Sequence, residues 1–340
     1  MEFRLAQPED DRELTRLIGL PMPGELSLSF TREPSYLSSC AHCGPRREVL
    51  LAQHNGEVLA LCSYFLHHYR VRGQWREVWT VGDFRATLKA ASRSVTGRGW
   101  AALRERLEGK PALISVVDQN RNALRLFSKQ RKNWPSLHKI GELTTYMLPL
   151  IGSGDSPPFG VVRPSAGAVV KSLNEWWKDS FLAPQVVASD FGSVLPPAES
   201  FRAVSDGTQL LACGALWDQS DYRQVKVAGY RGSYVNLKRW SDRLGLGILP
   251  QPGASVTSTF ACFLEGIEPQ ATRAVMEALC GEAKRSGSHF LVYSQDRSKP
   301  APFPKSWLLP LSYPSTLYQL VWPGDQKLPF SSVGYPVCWL

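Results

Sequence analysis

The chain has 340 residues, 43% of them hydrophobic and 20% charged, with 39 basic and 30 acidic side chains and a formal net charge of +9. This is the balance of a globular chain of about two domains, too apolar for disorder. No apolar run approaches the roughly 20 residues that cross a bilayer. The opening MEFRLAQPEDDREL is too polar for a secretory signal, so the expected location is the cytoplasm.

Taken along the chain, FRLAQPEDDRELTRLI from Phe3 reads as a short strand and a helix. EVLLAQ and EVLALCSYFLHHYR flank Asn55-Gly56 and read as a hairpin, because both central turn positions favour residues that tolerate positive φ. EVWTVGDFRATL (Glu77 to Leu88) is a further strand. Gly97 and Gly99 then run into the helical pattern WAALRERLEG, followed by a strand at ALISVVD, a helix at NRNALRLFSKQ and a strand at LTTYMLPL. IGSGDSPPFG (151–160) has little to bury and reads as a linker. The order then repeats. FGVVRPSAGAVVKSLNEWW matches the chain start, and an Asp206-Gly207 turn precedes TQLLACGALW. ASVTSTFACFL, the helix PQATRAVMEALCGEAKRSG, HFLVYSQ and TLYQLVW complete the second half. Hairpins mixed with strand–helix–strand units argue for an α+β layer fold.

The seven cysteines are odd in number and irregularly spaced, so no disulfide framework is expected. Cys62, Cys213 and Cys262 lie in apolar runs and read as core thiols. Cys40-Ala-His-Cys43 looks like half a zinc site but lacks a second ligand pair; a loop is the simpler reading and no metal is expected. Basic residues are scattered rather than gathered in a stripe with aromatics. That argues against nucleic acid and leaves anionic small molecules or acidic proteins as partners.

Gly97 and Gly99 before a helix pose a specific question. A helix N-terminus has unpaired N–H groups and a partial positive charge, and glycine lets backbone approach a phosphate. The stretch lacks the spacing of a P-loop and the third glycine of a dinucleotide fingerprint.

The order of elements resembles the GNAT superfamily of acyl-CoA-dependent N-acyltransferases. The signature of that family is Arg or Gln, two residues, Gly, one residue, then Gly or Ala, opening the helix after the fourth strand. Thr96-Gly97-Arg98-Gly99-Trp100-Ala101 is similar to it and departs from it at Thr96. A second family pattern, Asn-x-x-Ala-x-x-Leu-Tyr, is matched by Asn120, Ala123, Leu126 and Phe127.

The resemblance implies two tandem GNAT-like domains, each a mixed, mostly antiparallel twisted sheet flanked by helices. Residues 1–150 would be the catalytic domain and 161–340 a degenerate copy used for substrate binding or structure, with Glu265 and Glu268 where a pyrophosphate would otherwise sit. It implies acyl-CoA as co-substrate, acetyl or fatty acyl. Thr96, Gly97, Arg98, Gly99, Trp100 and Ala101 would hold the pyrophosphate. The main chain of Phe84, Arg85 and Ala86 would face the thioester. Asn120 either bonds the pantetheine or caps its helix, and Phe127 stands where the family has the tyrosine that protonates the thiolate.

Candidate bases are Asp83 and Glu77, whose even spacing puts them on one face of an ideal strand, and His67 or His68; Tyr146 is a candidate acid. Tryptophans, Trp100 among them, could line a tunnel for a longer acyl chain. The acceptor would be a primary amine on a small molecule or on a Lys- or ornithine-type peptide side chain, as in natural-product maturation. An acidic leader peptide or an acyl carrier protein would suit the basic charge. The alternative is a non-catalytic protein that binds acyl-CoA or a peptide.

Overall fold

The computed structural model describes residues 1–22, 25–71, 73–91, 95–128, 133–151, 160–245, 249–302, 311–329 and 334. The first half runs β1 (Glu2–Leu5), α1 (Asp11–Ile18), β2 (Leu26–Thr31), the short α2 (Tyr36–Ser39), β3 (Arg46–His54), β4 (Glu57–Val71) and β5 (Gln74–Ala86). It continues with the short α3 (Leu88–Ala91), α4 (Val95–Arg106), β6 (Ala112–Val117), α5 (Arg121–Ser128) and β7 (Ser136–Pro149). The second half runs β8 (Val161–Val162), α6 (Ala166–Trp176), β9 (Ala183–Pro184), β10 (Phe201–Ser205), β11 (Leu210–Trp217), β12 (Gln224–Tyr230) and α7 (Ser233–Arg243). It ends with β13 (Ser258–Gly266), α8 (Pro269–Arg285), β14 (Phe290–Asp296) and β15 (Leu311–Val321). Residues 152–159 of the expected linker lie outside the described residues.

The fold is α+β: a mixed, largely antiparallel sheet flanked by helices. The hairpin turns form where the sequence puts them. Asn55 and Gly56 take φ of 50° and 78° between β3 and β4, and Gly207 takes φ of 96° between β10 and β11. The Asp206 carboxylate also accepts from the Thr208 and Gln209 N–H groups, an Asx-type turn.

Alternation along β4 splits the first half into two cores. Cys62, Tyr64 and Leu66 pack with Trp79, Trp100 and Leu103 on the α4 side. Leu61 and Phe65 pack with Leu14, Leu17 and Tyr36 on the α1–α2 side. In the second half α8 starts at Pro269, where the missing N–H costs nothing, and ends on Lys284 and Arg285, which complement the helix dipole. It buries Val275, Met276 and Leu279 against Ala212, Leu264 and Leu291, at about 1.5–3 kcal/mol for each large side chain.

The strand order is β1-β3-β4-β5-β6-β15-β7-β14-β13-β11-β10-β8, with β9 paired to β4. The sequence suggests that LTTYMLPL and TLYQLVW each close their own half. Instead each crosses over: β15 pairs β6 of the first half, β7 pairs β14 of the second, and β15 and β7 pair with each other. Backbone ladders do not record which copy supplies a strand, so the apolar pattern of β15 fits either place. The exchange buries what would otherwise be two open strand edges. A separate two-stranded ribbon, β2 with β12, also joins residues of the two halves.

Candidate active site

Two strands that stop pairing define the site. β5 and β6 are parallel and in register at only two positions, Trp79 with Ala112 and Thr80 with Leu113. Beyond them β6 continues against β15 while β5 continues against β4, so the two strands diverge. On the β4 side the register slips between Leu61–Arg85 and Ser63–Gly82, so Asp83 and Phe84 together oppose Cys62. This is a β-bulge, with Asp83 at φ 51°, a left-handed conformation that Asp tolerates better than most residues.

The bulge resets the faces of the strand. Trp79 and Val81 point to the α4 side, and an unbroken strand would send Asp83 there too. The extra residue sends Phe84 there instead, where its ring lies 5.3 Å from that of Trp100. Asp83 turns to the α2 side. It therefore does not share a face with Glu77, contrary to the even spacing.

On the α2 side Asp83 is held by three groups. Arg32 Nη2 lies 3.0 Å from its Oδ2. The Tyr36 hydroxyl and Ser63 Oγ donate to the same oxygen at 3.0 and 3.2 Å. Burial pushes the Asp83 carboxyl upward, but Arg32, Tyr36 and the nearby Arg223 outweigh it and hold the group below the usual carboxylate range. Burial likewise opposes the charge on Arg32, and Asp83 more than restores it. Burial and the Asp83 charge raise the Tyr36 hydroxyl, which stays protonated and able to donate. Arg32, Tyr36 and Ser63 escaped the sequence reading; the one signal was a lone arginine in TREPSY, directly after an apolar strand.

The remaining candidates scatter. Glu77 is on the exposed rim, 3.8 Å from His68 across the β4–β5 ladder and 3.7 Å from Lys110. His67 is buried, its ring against Gly44, where an added Cβ would come within 3.1 Å. Burial pushes its pKa down to about 3, so it is a neutral core histidine. Tyr146 sits on β7 opposite Tyr293 of β14 and against the α8 core. Three strand spacings of about 4.8 Å separate β7 from β5, so the strand exchange carries Tyr146 into the second half.

Asn120 Oδ1 accepts from the Ala123 N–H at 3.1 Å, so it is the N-cap of α5. The Phe127 ring also lies 5.3 Å from that of Trp100, tilted by 45°. Trp100, 2% exposed, thus contacts both Phe84 and Phe127, and its indole Nε1 has no hydrogen-bond partner.

The glycine pair lies inside α4 rather than before it, since the helix begins at Val95. A Cβ on Gly97 would stand 3.0 Å from Trp134 Nε1, and one on Gly99 3.3 Å from a Phe3 ring carbon. Both glycines make room for aromatic packing. Arg98 donates to the Met1 carbonyl and lies over the Phe3 ring. Ala101 is exposed. Thr96 remains half-buried in the first described turn of α4.

Arg85, next to the bulge, donates to the Phe84 carbonyl while its Nε is buried without a partner. Burial lowers its pKa. Phe84 and Val117, at the ends of the diverging strands, are exposed and give the gap an apolar edge. Open main chain of Phe84 to Ala86 on the β6 side and apolar side chains along the gap suit an acyl thioester. Among the described residues no group of three or more His, Cys, Asp or Glu converges as a metal site would.

The second half repeats this geometry with different side chains. β13 and β14 are parallel from Ser258–Phe290 to Ala261–Tyr293 and then diverge. The bulged residue is Phe263, at φ 54°, opposite Gly214 of β11. Between the strands and the first turn of α8 lies a cavity of about 380 Å³ lined by Trp177, Phe263, Glu265, Thr272, Tyr293 and Lys299, among others. Glu265 is neutralised there: Lys299 lies 2.9 Å away and Trp177 Nε1 donates to it at 3.1 Å.

No family model and no curated protein matches the chain in sequence. Solved structures do match its fold. Saccharomyces cerevisiae N-myristoyltransferase with bound myristoyl-CoA superposes with a TM-score of 0.62 at 8% identity, covering 98% of this chain and 82% of that one. Another structure of that yeast enzyme, with myristoyl-CoA and inhibitors, gives 0.60 at 9% identity, covering 98% and 86%. The likeness spans both halves, and the mixed, largely antiparallel sheet flanked by helices matches the GNAT-like fold of N-myristoyltransferase.

Proposed function

We propose that the protein is an acyl-CoA-dependent N-acyltransferase whose donor lies in the gap between β5 and β6. The observation that carries this reading is the divergence of the two strands past the Asp83 bulge. It leaves the main chain of Phe84 to Ala86 without a partner on β6, with the Phe84 ring 5.3 Å from that of Trp100 on α4. The fold shared with proteins that bind myristoyl-CoA supports it.

In the reaction the amine nitrogen forms a C–N bond to the thioester carbonyl carbon as the C–S bond breaks. The nitrogen loses one proton and the thiolate gains one. Main-chain N–H groups at the bulge polarise the carbonyl. Asp83, ionised and aimed to the opposite side of the strand from Phe84, accepts a hydrogen bond from the amine and orients it; its low pKa leaves water as the final proton acceptor. Tyr146 is too distant to serve, so the thiolate takes its proton from solvent.

The cavity between β13 and β14 binds the body of the acceptor. Four strand spacings, about 19 Å along the sheet, separate it from the donor gap, a span of about six extended residues. A peptide carrying a Lys- or ornithine-type amine suits that distance better than a small amine. Acetyl, medium and long acyl groups would all begin at Phe84; their discrimination rests on Trp100, which closes the floor of the gap.

The reading is tested by thermal shift with CoA, acetyl-CoA, decanoyl-CoA and myristoyl-CoA, then by mass spectrometry of amine peptides incubated with whichever thioester stabilises. Asp83→Asn should cut turnover by about 10²-fold or more with KM for the thioester little changed. A melting point that no thioester moves would sink the proposal. The alternative, a non-catalytic acyl-CoA or peptide-binding protein, is favoured by Phe127 and by the displacement of Tyr146. It predicts stabilisation without a mass increase on any peptide.

A further inference from the structure

Residues 233–244 form the most exposed apolar feature among the described residues. Helix α7 packs Lys238 and Ser241 inward, against the β2–β12 ribbon side of the protein. On its outer face stand Leu237, Trp240 and, one residue past its end, Leu244, exposed by 48%, 61% and 63%. Trp240 and Leu244 are the most exposed large hydrophobic side chains among the described residues. The i, i+3, i+7 spacing places all three within an arc of about 60° at 100° per residue, so they form one ridge rather than scattered contacts.

Outside the Lys238–Asp242 pair, the charges on and just before the helix are all positive. Arg239 and Arg243 flank it on the helix and Arg231 precedes the helix; all three are exposed. None makes an ion pair among the described residues, whereas the neighbouring Lys226 and Lys238 are tied to Glu33 and Asp242. Asp242 is the only carboxylate on the helix, and Lys238 neutralises it. The helix is anchored from below: Glu25 accepts from the Arg231 N–H at 2.6 Å through its carbonyl, and from Ser233 Oγ at 2.9 Å through its carboxylate.

We infer that α7 is a docking element for an anionic lipid bilayer, lying in the plane of the headgroups with Leu237, Trp240 and Leu244 inserted. A tryptophan and leucines beside unpaired arginines are the chemistry of an interfacial helix: apolar side chains enter the acyl boundary, the indole sits at headgroup level and guanidinium groups meet phosphates. Two copies of this chain meeting through the same ridge would press Arg239 and Arg243 against themselves, which disfavours a dimer. No helix among the described residues is long and apolar enough to cross a membrane, so the contact is peripheral. The inference stands apart from acyl transfer and holds for a binding protein equally well.

The full-length protein is tested by co-sedimentation with vesicles of phosphatidylcholine alone and of phosphatidylcholine with one-quarter phosphatidylglycerol. Binding is expected to the anionic vesicles only, to weaken as salt rises from 50 to 300 mM, and to fall at least tenfold in Trp240→Ser/Leu244→Ser. Arg239→Gln/Arg243→Gln should lose the preference for phosphatidylglycerol. These positions are exposed, so the melting temperature of each variant should match that of the parent, which separates lost docking from lost folding. Free inorganic phosphate at millimolar concentration should not displace the protein. Failure to sediment with anionic vesicles, or equal sedimentation by the double serine variant, overturns the inference. A dimer in analytical ultracentrifugation that Trp240→Ser dissolves also overturns it, because the ridge is then an interface between copies.

Discussion

The two halves place the same backbone device at the same point of the sheet and fill it with opposite chemistry. In the first, the bulged residue is Asp83, tied to Arg32, Tyr36 and Ser63. In the second it is Phe263, with Trp177 and Phe201 rings 6.1 and 6.4 Å away. A phenylalanine at φ 54° is a far less comfortable left-handed residue than an aspartate. Its presence shows that packing around the bulge, not the bulged residue's preference, fixes the backbone there. The polar copy places a charge where an amine could be held, whereas the apolar copy opens a cavity. That contrast supports the proposal that the first gap carries the chemistry and the second the recognition.

The contrast breaks most sharply if the ion pair is dismantled. Arg32→Met leaves Asp83 in a buried site without its cation and should cost about 3–5 kcal/mol, read from urea unfolding. Arg32→Met with Asp83→Leu should recover most of that loss, because the first half would then resemble the apolar second. If the double variant were as unstable as the single, Arg32 would act through packing rather than charge. Next in size is an acid effect confined to the first half. The pKa of His67 is near 3 in the folded protein against an ordinary 6.5. Between those values the unfolded chain takes up a proton that the folded one refuses. Stability is therefore intact above pH 6.5 and falls on acidification, by at most about 1.4 kcal/mol per pH unit. His67→Gln should flatten that slope between pH 6.3 and 4.5; an unchanged slope would show that another group carries it.

A third experiment asks which gap takes the anionic donor. Thr96→Glu puts a negative charge at the described start of α4, where it would repel a pyrophosphate. CoA affinity should drop about tenfold, near 1.4 kcal/mol, with no loss of melting temperature. Thr272→Glu, the counterpart in the first turn of α8, should leave CoA affinity alone. The reverse result would move the donor to the second half. Thr96 is a better probe than either glycine, because a Cβ at Gly97 or Gly99 would crowd Trp134 or Phe3 at 3.0 and 3.3 Å.

Much of the scaffold was legible because it rests on local chemistry. Asn55-Gly56 encodes a turn that needs positive φ twice, and the pattern from Pro269 to Arg285 encodes a helix with one apolar face. The Asp206-Gly207 turn and the α+β class followed from the same signals. What escaped depends on tertiary choices. Strand β15 carries nothing that says which half it will join, so the exchange that moves Tyr146 away from Asp83 leaves no trace in the sequence. Asn120 could cap a helix or meet a ligand on the same spacing, and only the bond to Ala123 separates the two. The Gly97–Gly99 pair looked like a loop because glycine is a poor helix former, yet Trp134 and Phe3 need the space. Helix α7 was missed because its apolar side faces outward.

The smallest expected effect tests the least visible feature, the single extra residue at Asp83. Strand alternation assigns Glu77 and Asp83 to one face, so an unbulged β5 would let them act together on an amine. With the bulge, Glu77 stays on the rim with His68 and Lys110 while Asp83 turns toward Tyr36. Glu77→Gln should therefore change stability by no more than about 0.5 kcal/mol and turnover by less than about twofold, while Asp83→Asn cuts turnover by about 10². Measured side by side on one peptide and one thioester, equal losses would mean that both carboxylates face the same substrate. The register slip opposite Cys62 would then have no bearing on the chemistry, and the two gaps would differ in their fillings alone.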